Sequence, residues 1–232
     1  MRTERETLRV VKKRLLDLLQ RPSPAESLAE VKRHPARRII NPLISFLCHS
    51  DESVRWNAIR CIGSVVADLA DADPESARVV MRRLMWSLND ESGGIGWGAP
   101  EAMGEIMASH AGLASEYAPI LISYLDPEAN YLESEVLQRG TVWALGRLGR
   151  RFPELVMHAE PHLTGLLDST DATLRGLAVW TLGILGSGRT RERIQALISD
   201  PAEILLRENH TSSRRTVGAL AQEALERMER RP

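Results

Sequence analysis

The sequence predicts an all-α chain, a right-handed α-solenoid of about five two-helix repeats behind an N-terminal helical cap. Three observations predict it. Apolar residues recur at i, i+3, i+4 and i+7, the period of an amphipathic helix, and strand-like alternation persists nowhere. A stretch ending in a small residue and glycine appears in successive copies: RWNAIRCIG at 55–63, GWGAPEAMG at 96–104, QRGTVWALG at 138–146, RGLAVWTLG at 175–183 and a degenerate RTVGALAQE at 215–223, spaced by 41, 42, 37 and 40 residues. Ahead of each copy runs a shorter amphipathic stretch, so every repeat holds two helices.

Taken in order, residues 3–20 and about 25–33 form the cap, within 1–33. Five helix pairs then fill 34–230. Their first helices are ARRIINPLISFLCHSD, ARVVMRRLMWSLND, SEYAPILISYLD, VMHAEPHLTGLLD and RERIQALISD, and their second helices are the five copies above. Pro74, Pro127, Pro153 and Pro201 fall at helix starts or in loops, where a missing N–H is tolerated. Asp51, Asp90, Asp126, Asp168 and Asp200 close each first helix, placed to cap the second or to pair with the arginine at its start, as Asp51 with Arg55. A single pair cannot bury its apolar face, so the stack over 1–232 is expected to be one domain.

Composition bounds the function classes. The longest uncharged apolar run, Gly176–Gly188, is thirteen residues, too short for a bilayer, and the charged start MRTERETLRVVKKRLL has no secretory core; a cytoplasmic protein is expected. Cys48 and Cys61 make neither C-x-x-C nor a disulfide framework and read as buried thiols. The net charge of -1 conceals a polarity: 13 basic against 7 acidic residues over 1–60, 3 against 13 over 61–138, and 14 against 11 over 139–232. An acidic centre is the opposite of what tracking a phosphate backbone requires, so nucleic acid is disfavoured as the main partner.

The string D-x-x-x-R-x-x-A-x-x-x-L-G, as DATLRGLAVWTLGILG and, with Ile for Leu, DESVRWNAIRCIG, resembles the HEAT repeat, particularly its phycobilisome-lyase-like branch, over roughly residues 28–230. The resemblance implies a curved stack whose second helices line a concave side that holds another protein. The chain departs from the pattern in DPEANYLESE, in PAEILLRENHTSS, and at Gly98 and Pro100 of the second copy.

A helical projection of the first copy gathers Val54, Ala58, Cys61, Ile62, Val65 and Leu69 on one side and leaves Trp56, Arg60, Gly63 and Ala67 toward the groove. Carried along the copies, the register makes Arg60, Glu101, Trp143 and Trp180 equivalent, then Trp56, Trp97, Arg139 and Gly176, then Ser64, Glu105, Arg147 and Ile184. The expected concave site is therefore Trp56, Arg60, Trp97, Glu101, Glu105, Arg139, Trp143, Arg147 and Trp180. Indole faces with carboxylates suit a cationic protein segment or small cationic ligand. The four tryptophans serve either that contact or packing between repeats, whereas Trp86, on a first helix, reads as core. Gly63, Gly104, Gly146 and Gly183 each cost about 1 kcal/mol in a helix, offset by close approach of neighbouring repeats or by a low groove floor.

Gly93, Gly94 and Gly96 precede a helix that Pro100 starts, forming either a flexible connection or an anion clasp. His158 and His162, with Pro161 between them, lack a third ligand, so neither metal nor cofactor is expected. Glu101 and Glu105 lack an accompanying nucleophile, and a non-enzymatic binding scaffold is the leading function. The alternative is a HEAT-like enzyme or accessory, resembling either alkylpurine DNA glycosylases or a lyase-like chaperone of a cofactor-bearing protein.

Overall fold

The computed structural model describes residues 7–88, 96–208 and 211–230. The chain divides into two compact units, Met1–His110 and Ala111–Pro232.

Unit 1 opens with α1 (Leu8–Leu19), which buries Val11, Leu15, Leu18 and Leu19, and α2 (Pro24–Val31). Pro24 takes the first turn, where no N–H is needed, and the Ser23 hydroxyl accepts the Glu26 N–H at 3.4 Å. Two helix pairs follow: α3 (Ala36–Ile44) with α4 (Glu52–Ala72), and α5 (Pro74–Leu88) with α6 (Ala99–Ser109). Asp51 caps α4 as its position predicts, Oδ1 accepting from the Ser53 and Val54 N–H groups at 2.8 and 3.4 Å. The stripe of Val54, Ala58, Cys61, Ile62, Val65 and Leu69 is buried.

Unit 2 contains α7 (Ala111–Ser123), α8 (Glu135–Gly149), α9 (Glu160–Gly165), α10 (Ala172–Leu185) and α11 (Arg191–Gln195). A β-hairpin follows, β1 (Glu203–Glu208) and β2 (Thr211–Thr216), and then α12 (Val217–Glu229). The first helix of the fourth repeat is broken into 3₁₀ turns at Pro153–Leu155, Met157–Ala159 and Leu166–Asp168 around α9. The pairs α7/α8, α9/α10 and α11/α12 complete the five repeats of an all-α solenoid.

Second helices lie side by side, α4 on α6 in unit 1 and α8, α10 and α12 in series in unit 2. Glycine sets the spacing. A Cβ on Gly63 would lie 2.7 Å from Cβ of Glu105, and one on Gly146 would fall inside the Trp180 ring. Close approach is what offsets the helix cost of these glycines. Arginine and aspartate tie successive repeats together: Arg139 pairs with Asp171, the cap of α10, at 2.5 Å, and Arg175 pairs with Asp200 at 2.9 Å. Asp168 is expected to cap α10 or to pair with the arginine at its start; instead Asp171 caps α10, Arg175 pairs with Asp200, and Asp168 pairs with Arg193 on the surface.

Three expectations are corrected. The hairpin is a strand pair where none is predicted, with antiparallel register from Glu203↔Thr216 to Glu208↔Thr211. Its apolar signal is only Ile204 and Leu206, buried, alternating with exposed Leu205, while β2 is TSSRRT and largely exposed. Trp86, expected in the core, is 74% exposed. The buried stripe of α5 is Ala77, Val80, Met81, Leu84 and Leu88, and at 100° per residue Trp86 points to the opposite face with exposed Val79. Cys61 is buried as expected, but Cys48 is exposed.

Candidate functional site

The second-helix face of unit 1 is built by α4 and α6. Gly98, in the left-handed region at φ 74°, turns the chain into α6 and leaves Trp97 exposed just before it. Trp56 is half-buried on α4. Glu101 occupies the third position of α6 and Glu105 the next turn; Glu105 is buried, against Gly63.

Among the described residues, Nε of Arg60 and Oε2 of Glu101 on this face are shut off from solvent and have no hydrogen-bond partner. Burial raises the Glu101 carboxyl to about 7, against the opposing pull of its own backbone N–H and of the Arg55 charge. Burial also lowers Arg60, while the Cys61 and Glu105 charges act in the other direction. The face therefore carries a carboxyl on the edge of ionisation beside an exposed indole.

The glycine run before α6 only partly belongs to the described residues. Gly93 and Gly94 lie outside them. Gly96 is buried, and a Cβ on it would meet the Ser87 backbone at 2.8 Å. In the first turn of α6 the Ala99 N–H is bonded to the Gly96 carbonyl at 2.9 Å, and Pro100 has no N–H.

Unit 2 places its expected site residues differently. Trp143 and Trp180 are buried, 7% and 3% exposed, because β1 lies over them. The Trp143 indole N–H donates to the Arg207 carbonyl at 2.8 Å, and the Trp180 indole N–H donates to Glu208 Oε1 at 3.2 Å. Ile204 fills the space left by Gly176, where a Cβ would come within 2.6 Å of its Cδ1. Arg150 pairs with Glu208 and sits 5.4 Å from the centroid of the Trp180 ring. Burial lowers the Arg150 guanidinium, and the Arg227 and Arg147 charges add to that. Arg139 is committed to Asp171 and, at 3.7 Å, to Glu135. The expected wall of open tryptophans is thus covered by the chain itself in this unit.

Sequence reasoning placed Arg55 only as a partner for Asp51, whereas it pairs with Glu52 at 3.5 Å, and it missed Arg150, Arg207 and Glu208. Arg150 follows the fourth-turn glycines and had no repeat counterpart to draw attention, and Arg207 and Glu208 sit in the segment that broke the repeat. Among the described residues, no three His, Cys, Asp or Glu side chains could together hold a metal ion, and no helix is long and apolar enough to cross a membrane.

The comparisons with known proteins agree with this architecture. The HEAT repeat family model matches residues 39–69, which cover most of α3 and most of α4. An uncharacterized protein of Archaeoglobus fulgidus is 30% identical over 149 residues, covering 62% of this chain and 73% of that protein. Among solved structures, an engineered protein superposes with a TM-score of 0.52 at 20% identity, covering 94% of this chain and 96% of the other. A designed armadillo repeat protein gives 0.51 at 19% identity over 93% and 98%. Another, in complex with the peptide (KR)4, gives 0.50 at 18% identity over the same shares, 93% and 98%. The helix pairs, the glycine-spaced second helices and these matches lead to one conclusion: the chain belongs to the HEAT-repeat family.

Proposed function

We propose that the protein is a non-enzymatic binding scaffold that holds a cationic protein segment on the second-helix face of unit 1. The observation that carries this reading is the pairing of Glu101 and Glu105 on α6 with Trp97 exposed one turn earlier. An indole attracts ammonium or guanidinium through its face, and a carboxylate adds a full opposite charge. The surrounding sequence favours the same sign, with 3 basic against 13 acidic residues over 61–138. A designed armadillo repeat protein of similar fold has been solved with a Lys-Arg peptide, which makes that peptide a suitable probe.

The test is titration of the full chain with acetylated, amidated (Lys-Arg)4, followed by tryptophan fluorescence and calorimetry at two salt concentrations. Saturable binding that weakens with salt and is reduced by Trp97→Ala supports the reading. Absence of binding, or binding indifferent to Trp97→Ala, overturns it.

A further inference from the structure

Unit 1 sorts its charge by helix layer. Helices α1, α3 and α5 come first in each pair, and α2, α4 and α6 come second. The first helices carry four basic residues against one acidic on α1, two against none on α3 and three against one on α5, nine against two in all. The second helices carry two basic residues, Arg55 and Arg60, against seven acidic ones. Side chains join neighbouring first helices. Lys12 of α1 sits 5.3 Å from the centroid of the Phe46 ring, just past α3, and Arg83 of α5 donates to the Asn41 side chain of α3.

Local pairing does not neutralise the first-helix layer. Glu75 takes Arg82 at 2.6 Å and Arg78 at 3.7 Å, and Asp73, just before α5, takes Arg37 at 2.5 Å. With Asp73 counted, six positive charges remain in excess. The same helices also expose large apolar side chains, Leu8 and Val10 on α1 and Val79 and Trp86 on α5. Val79, Arg83 and Trp86 stand at i, i+4 and i+7 on one exposed face of α5, opposite its buried stripe. A valine and an indole about 10 Å apart along the helix axis thus flank an arginine.

We propose that the first-helix layer of unit 1 docks on an anionic lipid bilayer, with Trp86 and Val79 entering the headgroup region and the cations of α1, α3 and α5 meeting anionic headgroups. Charge complementarity sets the sign of the occupant. The cations are spread over three adjacent helices with axes about 8–10 Å apart, which suits an extended surface of negative charge rather than a single anion. The exposed apolar groups decide between lipid and nucleic acid. Aliphatic side chains gain by entering the acyl boundary and gain nothing from a phosphate backbone, and the amphipathic indole ring is at home at headgroup level. This layer is distinct from the α4–α6 face, and the inference stands whether or not that face binds a peptide.

The experiment is cosedimentation of the full chain with vesicles of phosphatidylcholine alone and with vesicles of equal parts phosphatidylcholine and phosphatidylglycerol, at low and high salt. Partition is expected to favour the anionic vesicles by at least about tenfold and to fall as salt rises. Trp86→Ala removes an exposed side chain and is expected to weaken that partition about tenfold. Combined Lys12→Glu, Lys13→Glu and Arg83→Glu are expected to weaken it more than about a hundredfold, since each cation near an anionic leaflet contributes a gain of about fivefold. An unchanged thermal melt checks that both variants fold. No preference for anionic vesicles, or equal partition of Trp86→Ala and the unaltered chain, overturns the proposal. Tighter binding of a single-stranded oligothymidylate or of an oligoglutamate than of the anionic vesicles also overturns it, and assigns the layer to nucleic acid or to an acidic protein.

Discussion

Replacing Glu101 by Gln should stabilise unit 1 at alkaline pH and leave it nearly unchanged at acid pH. The carboxyl is removed from water with Oε2 unmatched, which raises it to about 7 in the folded protein from an ordinary value of 4.5. The folded state therefore holds its proton more tightly than the unfolded chain does. Below pH 4.5 both states are protonated and the group is neutral in each. Between 4.5 and 7 the unfolded chain releases its proton first, so the stability associated with the neutral carboxyl is lost progressively as pH rises and is gone above about 7. At about 1.4 kcal/mol per pH unit, the charged form costs the folded state about 3 kcal/mol there. Gln has similar size and no titration. The difference between the two proteins should thus be close to zero at pH 4.5 and approach about 3 kcal/mol in favour of Glu101→Gln at pH 8.5, on the order of 10 °C in melting temperature for a unit of this size. All other titrating groups are common to both proteins and cancel in the comparison. Urea denaturation at the two pH values measures it directly. An offset independent of pH, or a loss of stability at pH 8.5, refutes the reasoning that burial governs this carboxyl.

Two further outcomes follow from the burial pattern. Trp143→Ala and Trp180→Ala, which strip buried indoles from beneath β1, should each destabilise unit 2 by about 3–5 kcal/mol in urea denaturation, whereas Trp86→Ala, 74% exposed, should stay within about 0.5 kcal/mol. Of the two thiols, exposed Cys48 should react with a thiol reagent in the native protein at pH 8, while Cys61, buried and pushed up to about 12, should react only on unfolding; two thiols titrating at one rate would contradict this.

The helices were legible because their determinants are local. Asp51 before Glu52 caps α4 through its own side chain, and the buried stripe from Val54 to Leu69 follows the helical period. The recurring glycines disclosed the spacing of second helices, although not the atoms that require it, since Gly146 faces a tryptophan in the next repeat, thirty-four positions away. The hairpin was illegible by the same standard. Its one buried face consists of Ile204 and Leu206, its second strand has no apolar residue, and it is held by α10 and by the indoles below it, which are contacts of long range. Its location could have been marked by the interruption PAEILLRENHTSS. Trp86 was a misreading within reach of the sequence, because a projection of α5 already separates it from Met81 and Leu84. The charge state of Glu101 was beyond reach, since it depends on how deeply α6 seats its first turn against α4.

The hairpin also explains why one repeat register yields two different surfaces. Tryptophans at 143 and 180 would leave large apolar areas in water on an open face, and each indole would carry an N–H that needs a partner. Inserting β1 between α11 and α12 meets both needs, because Ile204 and Leu206 cover apolar surface while Arg207 and Glu208 accept the two N–H groups. Where the same position is charged, as Arg60 and Glu101, an apolar strand of this kind would bury ions against hydrocarbon at a cost of several kcal/mol. The residue at that single position is thus an indole where β1 covers the second helices, and an arginine or a glutamate in the unit that lacks the hairpin. Function in a repeat stack resides in such departures from the repeat rather than in the copies they interrupt.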